Sequence, residues 1–132
     1  MSNADKLIEI ALRARDKAHA PYSNFKVGAA VEAEHAKIYT GCNIESATFG
    51  LTVCAERVAI WKALSDGETR FKAMAVVADT EELTPPCGTC RQIIWEFCGD
   101  IPVTMANLSG KTETLFMRDL LPRPFDSTFL NE

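Results

Sequence analysis

Apolar residues recur at three- and four-residue intervals through positions 4–19, where Leu7, Ile8, Ala11, Leu12 and Ala18 share one side and charged residues take the other. That period predicts an amphipathic helix. Ser2 or Asn3 stands at the N-cap position, and Pro21 stops the helix from running on. Residues 26–33, Lys-Val-Gly-Ala-Ala-Val-Glu-Ala, read as a strand, and 36–42 as its hairpin partner. The connecting Glu34-His35 lacks the Asn-Gly or Asp-Gly of a tight hairpin turn. Residues 43–53 carry Asn, Ser, Thr and Gly and read as a loop. Over 54–65 the apolar residues Val58, Ala59, Ile60, Trp61, Ala63 and Leu64 lie nearly all round a helix, which is therefore expected to be largely buried, with Gly67 ending it.

The run Ala73–Ala78 is continuously apolar and suits a central strand covered on both faces. Pro85-Pro86 halts the chain, and a helix is expected from about Gly88 to Cys98, ended by Gly99. Two short strands follow near 102–107 and 112–117, then a helical turn at 118–121 and the segment Leu121-Pro122-Arg123-Pro124-Phe125. The order αββαβαββ predicts an α/β fold in which helices cover a mixed sheet. With 132 residues and neither repeat nor linker, one domain spanning 1–132 is expected.

Composition narrows the partners. Apolar residues make up 47% and charged residues 24%, as in soluble globular proteins. The net charge of −4 argues against a nucleic-acid backbone as partner. The start, Met-Ser-Asn-Ala-Asp-Lys, lacks the basic and apolar regions of a signal peptide, and no stretch is long enough to span a bilayer. A cytoplasmic protein without a membrane partner is the simplest expectation. Five cysteines in a reducing compartment point to metal or catalytic use rather than a disulfide framework.

Three of those cysteines stand in a pattern that carries chemistry. Cys54 opens one predicted helix in Cys54-Ala55-Glu56, and Cys87 and Cys90 open another in Pro86-Cys87-Gly88-Thr89-Cys90. A helix N-terminus offers free N–H groups and partial positive charge, which favour a thiolate. Three thiolates can hold one zinc and leave its fourth position open for water, the hallmark of a catalytic rather than a structural site. Glu56, two residues from a ligand, is placed to move protons without binding the metal. Arg57 can donate to the thiolates and offset their charge, and Gln92 is a weaker candidate for the same supporting role. The alternative is a closed structural site whose fourth ligand comes from His19, His35, Cys42 or Cys98, which would leave Glu56 without a role. A thioredoxin-like pair lacks the early strand expected before it. Cys42 and Cys98 otherwise read as small buried residues, His19 as a helix-end residue and His35 as a solvated turn residue.

Read with their neighbours, these residues resemble the small homotetrameric zinc-dependent cytidine deaminases over nearly the whole chain. The landmarks are Ala20-Pro21-Tyr22-Ser23, Phe25-x-Val27-Gly28-Ala29-Ala30, Gly41-Cys42-Asn43-Ile44-Glu45, Cys54-Ala55-Glu56-Arg57, Pro86-Cys87-Gly88-x-Cys90-Arg91-Gln92, and Leu120-Leu121-Pro122 with Phe125. The resemblance implies a three-layer α/β/α sandwich with a central five-stranded mixed sheet. It implies hydrolytic deamination of cytidine and 2′-deoxycytidine in pyrimidine salvage, with one Zn2+ per subunit bound by Cys54, Cys87 and Cys90 and with Glu56 as the proton shuttle. Asn43 and Glu45 would hydrogen-bond the ribose, Phe25 would pack on the pyrimidine, and the backbone of Ala55 would meet the amine or carbonyl edge of the base. Ala47, Phe49 and Phe125 match positions through which a neighbouring subunit closes the site of a homotetramer.

Without the resemblance, Asn43 reads as a loop cap and Phe25 and Phe125 as core anchors. Some positions depart from the family pattern. Phe49 stands where Tyr is frequent, Val53 where small or polar residues often occur, and Thr89 where Ala is usual. The missing Tyr hydroxyl bears on substrate preference. A deaminase of blasticidin S or another modified cytidine is the nearest rival, and a zinc-stabilised binding module the rival from another class. An editor of polynucleotides would need a basic strand-binding groove.

Overall fold

The computed structural model describes residues 2–130. Its helices are α1 (Asn3–Arg15), α2 (Ala55–Ser65), α3 (Gly88–Cys98) and α4 (Met117–Leu120). Its strands are β1 (Val27–Ala33), β2 (Ile38–Cys42), β3 (Phe71–Ala78), β4 (Pro102–Ala106) and β5 (Thr112–Phe116). They form one mixed sheet in the order β2-β1-β3-β4-β5. Only the β3–β4 pair is parallel, because α3 carries the chain back between those two strands.

Strand alternation sorts the sheet into two faces. Ala29, Val31, Met74, Val76 and Val103 point to the side covered by α2 and α3. Ala30, Ala75, Val77 and Ala106 meet Leu7 and Ala11 of α1 on the other. The result is the expected three-layer α/β/α sandwich with a central five-stranded mixed sheet. Met74–Ala78 is at most 2% exposed, so the apolar run of β3 is covered on both faces.

Two glycines set how closely the helices approach. A Cβ at Gly28 would lie 2.0 Å from the Ala11 carbonyl oxygen, and one at Gly41 would lie 2.2 Å from the Ala55 carbonyl oxygen. The backbones of α1 and α2 therefore rest directly on β1 and β2. Gly41 matters more for the site, because the contact falls at the first residue of α2. Gly41→Ala forces an extra carbon against backbone that no rotamer change can move. We expect a loss of about 3 kcal/mol or more in chemical denaturation. An unchanged midpoint would contradict this seating of α2.

Two elements differ from the sequence expectation. Helix α1 ends at Arg15 rather than 19. The next amides fall back on carbonyls three residues earlier, and the His19 N–H is then taken by the Asn43 carbonyl at 2.9 Å. His19 thus lies beyond the helix, in a short bridge to Ile44, and does not serve as a helix-end cation. Helix α2 is buried on one side only. Ala55, Glu56, Ala59, Ile60 and Ala63 face the sheet, but Trp61 is 40% exposed, with its ring edge against Phe97. At the other end of α1 the expected cap is present: the Ser2 hydroxyl accepts from the Asp5 N–H, and the Asp5 carboxylate accepts from the Ser2 N–H.

The loop 43–53 is more ordered than its composition implied. Ile44 and Val53 exchange both backbone hydrogen bonds at 3.0 Å, and Glu45 N–H donates to the His19 carbonyl at 2.8 Å. The two ends of the loop are thereby clipped together immediately before Cys54.

Candidate metal centre and adjoining cleft

Cys54 and Cys87 are the N-cap residues of α2 and α3, and Cys90 lies in the first turn of α3. The ligand atoms of Cys54, Cys87 and Cys90 all lie within 4.8 Å of one another. Three thiolates bound to one zinc at about 2.3 Å would sit roughly 3.8 Å apart, so a shift of at most about 1 Å brings the three sulfurs to the separation the ion requires. Among the described residues no further His, Cys, Asp or Glu joins the group. His19, His35, Cys42 and Cys98, the candidates for a closing fourth ligand, are not part of it.

The electrostatics fit a soft divalent cation. A hydrogen bond from the Cys90 thiol, with help from Arg57, holds Cys54 well below the usual thiol range, at about 5. Cys90 is driven strongly upward by giving that bond and by burial. One thiolate therefore forms readily, and further negative charge in the same space is resisted until a cation neutralises it. Arg57 supplies part of that neutralisation, with its guanidinium 3.6 Å from the Cys54 sulfur. Its Nε–H is buried without a partner. The donor set of three thiolates at helix N-termini suits zinc.

Gln92 is not used in this way. Its side-chain amide donates to the Phe125 carbonyl at 2.7 Å and accepts from the Phe125 N–H at 3.1 Å. These two bonds clamp the chain segment after α4, and among the described residues no hydrogen bond of Gln92 runs to a thiol.

Beside the sulfurs lies a cavity of about 180 Å³ whose walls include Phe25, Asn43, Cys54, Ala55, Glu56 and Cys87. Glu56 is 5% exposed. Burial pushes its carboxyl up to about 7, with the negative charge on Cys54 adding to the shift and Arg57 opposing it. A carboxyl in that range can take and return a proton near neutrality. Thr52, Val53, Val76, Thr84 and Pro85 complete the walls. Nothing in the local sequence marks Val76, Thr84 or Pro85 as wall residues. Val53 stood out only as an apolar departure just before Cys54.

Asn43 is buried and doubly committed. Its side-chain oxygen accepts from the Val27 N–H at 2.9 Å, and its amide donates to the Phe25 carbonyl at 2.7 Å. It therefore fixes the backbone on both sides of Lys26 while keeping one amide hydrogen for other use. A second, more open cleft of about 360 Å³ is bordered by Tyr22, Ser23, Glu45, Phe49 and Thr52. Thr52 borders both spaces, so they adjoin. Phe49 is 73% exposed and meets Tyr22 edge-on. Ala47 and Phe125 border neither space. Phe125 instead stacks on Phe129, with 5.6 Å between ring centroids, on the segment held by Gln92.

A mixed sheet whose helix N-termini gather three thiolates around an enclosed carboxyl defines an α/β protein with a zinc-binding centre. Residues 1–105 match the family described as cytidine and deoxycytidylate deaminase zinc-binding region. The cytidine deaminase of Sporosarcina psychrophila is 51% identical over 130 residues, 98% of this chain and 96% of that protein. The crystal structure of cytidine deaminase from Burkholderia pseudomallei superposes with a TM-score of 0.91 at 44% identity, covering 95% of this chain and all of the other. The blasticidin-S deaminase of Bacillus cereus is 30% identical over 104 residues, 73% of this chain and 74% of that protein. The chain belongs to the cytidine and deoxycytidylate deaminase family.

Proposed function

We propose that this chain, a single domain over 1–132, hydrolyses cytidine and 2′-deoxycytidine to uridine and 2′-deoxyuridine, consuming one water and releasing one ammonia, as a step of pyrimidine salvage. The observation that carries this reading is the sulfur triangle and the buried Glu56 facing one cavity that adjoins a cleft bordered by Ser23 and the Glu45 carboxylate. The cavity is smaller than the roughly 300–1,000 Å³ of a typical small-molecule site. It suits one heterocyclic ring, with the sugar left to the adjoining cleft.

Cys54, Cys87 and Cys90 would hold one zinc per subunit. When bound, zinc acts as a Lewis acid that brings the pKa of a coordinated water down to about 7. Phe25 presses on the ring face, and Ala55 presents backbone at the start of α2 to the ring edge. Glu56 takes a proton from the attacking water and delivers it to N3 of the ring. After water oxygen has added at C4, Glu56 moves a second proton to the departing amine, so the C4–N bond breaks with ammonia as leaving group. Asn43 and Glu45 face the sugar.

The partner set is a small nucleoside rather than nucleic acid, in keeping with a net charge of −4. No helix among the described residues is long and apolar enough to cross a membrane. A cytoplasmic homotetramer completes the reading. Supporting it, Phe49, Leu51, Phe125 and Phe129 are 58–73% exposed in the isolated chain. Ala47, Phe49 and Phe125 would complete a neighbour's site.

The test is ammonia release and ultraviolet absorbance change with zinc-assayed protein. Cytidine, 2′-deoxycytidine, cytosine, N4-substituted cytidines and blasticidin S form the panel. Turnover of the two plain nucleosides is expected. Turnover of the modified compounds alone would transfer the activity to them and make Phe49 and Val53 the positions to examine. No turnover with zinc bound would establish a binding module instead.

A further inference from the structure

Ser23 joins two residues that the proposed function assigns to different parts of the substrate. Its hydroxyl donates to the Glu45 carboxylate. The same hydroxyl oxygen accepts from the Phe25 N–H at 3.0 Å. An N–H can only donate, and an ionised carboxylate can only accept, so the direction of this chain is fixed: Phe25 N–H to Ser23 O–H to Glu45. Bonds aligned in one direction polarise and strengthen each other.

The other Glu45 oxygen is also engaged. It accepts from the Tyr22 N–H at 2.9 Å and from the Ser23 N–H at 3.1 Å. A carboxylate has about four acceptor positions. Three are filled by the turn at residues 22–23, and the remaining one belongs to the oxygen that Ser23 holds. Glu45 borders the open cleft, so that single position is available to one hydroxyl of a ligand there. Asn24, between Ser23 and Phe25, has φ of 57°, a left-handed turn that brings the Phe25 N–H back onto the Ser23 oxygen.

We propose that Ser23 is a positioning residue for nucleoside recognition: it aims the one free acceptor of Glu45 at a sugar hydroxyl and locks that aim to the backbone carrying Phe25. The inference rests on the reading of Glu45 as the sugar-facing carboxylate. It sets the sugar-facing carboxylate against a backbone that Asn43 holds independently at the Phe25 carbonyl. Ser23 is exposed, so its substitution is chiefly a polar change.

The experiment measures kcat and KM for cytidine and for 2′,3′-dideoxycytidine, which lacks both secondary hydroxyls. The proteins are the parent, Ser23→Ala, Ser23→Thr, Glu45→Gln and the Ser23→Ala/Glu45→Gln double variant. Ser23→Ala should raise KM for cytidine about tenfold, as expected for loss of one charge-assisted bond, with kcat changed less than about twofold. KM for the dideoxy compound should change little. Ser23→Thr should restore the parent value, and the double variant should be no worse than Glu45→Gln alone. Equal losses for both substrates, or failure of Thr to rescue, would make Ser23 a structural residue only and overturn the inference. If Glu45→Gln raises KM for cytidine but Ser23→Ala does not, the inference fails while the reading of Glu45 stands. If Glu45→Gln leaves cytidine KM unchanged, that reading fails and the inference falls with it.

Discussion

Glu56→Gln will lower kcat for cytidine by roughly 10²–10⁴-fold, the range of general acid–base catalysis, while zinc content stays at the parent level. The argument runs from position to chemistry. Glu56 is in the first turn of α2, two residues beyond Cys54, so its carboxyl shares the cavity with the sulfurs but is not one of the clustered ligand atoms. It is 5% exposed, and its carboxyl has been raised to about 7. A group there can accept a proton from water and return it to nitrogen. Gln has nearly the same volume and can fill the same space, but it cannot carry a proton between two sites. It also removes a charge whose burial is unfavourable, so lost turnover cannot be ascribed to a weakened core. Zinc by metal assay and kcat by ammonia release read the two halves separately. Near-parent kcat would remove Glu56 from the mechanism, and loss of zinc would make it a ligand.

Cys87→Ala is expected to lose bound zinc and turnover together and to lower the thermal midpoint to that of chelator-treated parent protein. Cys87 is the cleanest of the three sulfurs to remove. Cys90 is fully buried, so its truncation would also open a void in the core. Cys87 is exposed, and its sulfur caps α3 by accepting from the Cys90 N–H at 3.5 Å. Its loss therefore costs little packing. Apart from that weak cap, its effect on stability is that of losing a ligand that binds the folded state alone. Metal-free parent supplies the comparison, because it lacks the ion while keeping all three thiols. A variant that keeps one zinc per chain would exclude Cys87 as a ligand.

The family match gives these predictions their chemical direction, but the geometry sets which residue does what. Arg57 and Gln92 illustrate the point. Both follow a cysteine ligand by two or three positions, and both are polar side chains near a helix start. Arg57 turns its guanidinium toward Cys54, whereas Gln92 turns away and closes on Phe125. The difference depends on what each helix meets: α2 faces the sulfur triangle along that side, and α3 is also the platform for the segment after α4. Trp95, one turn beyond Gln92, holds the next residue of that segment through its indole N–H to Asp126 at 3.2 Å.

Much of this protein was already determined by the order of its residues. Apolar patterning, with Pro and Gly at the boundaries, located each main helix and strand, because burial favours a characteristic run or spacing in each element type. The continuous run in β3 announced a strand covered twice. Cys54, Cys87 and Cys90 were legible because metal ligation restricts residue type and spacing more than packing does. Tertiary structure decided the rest. The early end of α1 depends on Asn43 offering its carbonyl to His19, a partner far along the chain. The exposed side of α2 depends on how much of that helix one sheet can cover. Val76, Thr84 and Pro85 became cavity walls only when β3 and the segment after it came beside α2. Ser23, Glu45 and Phe25 became one hydrogen-bonded chain only when the clipped loop met the turn at residues 22–24. Local pattern records what each segment can bury, whereas directional contacts between distant segments exist only once the sheet has fixed their relative positions.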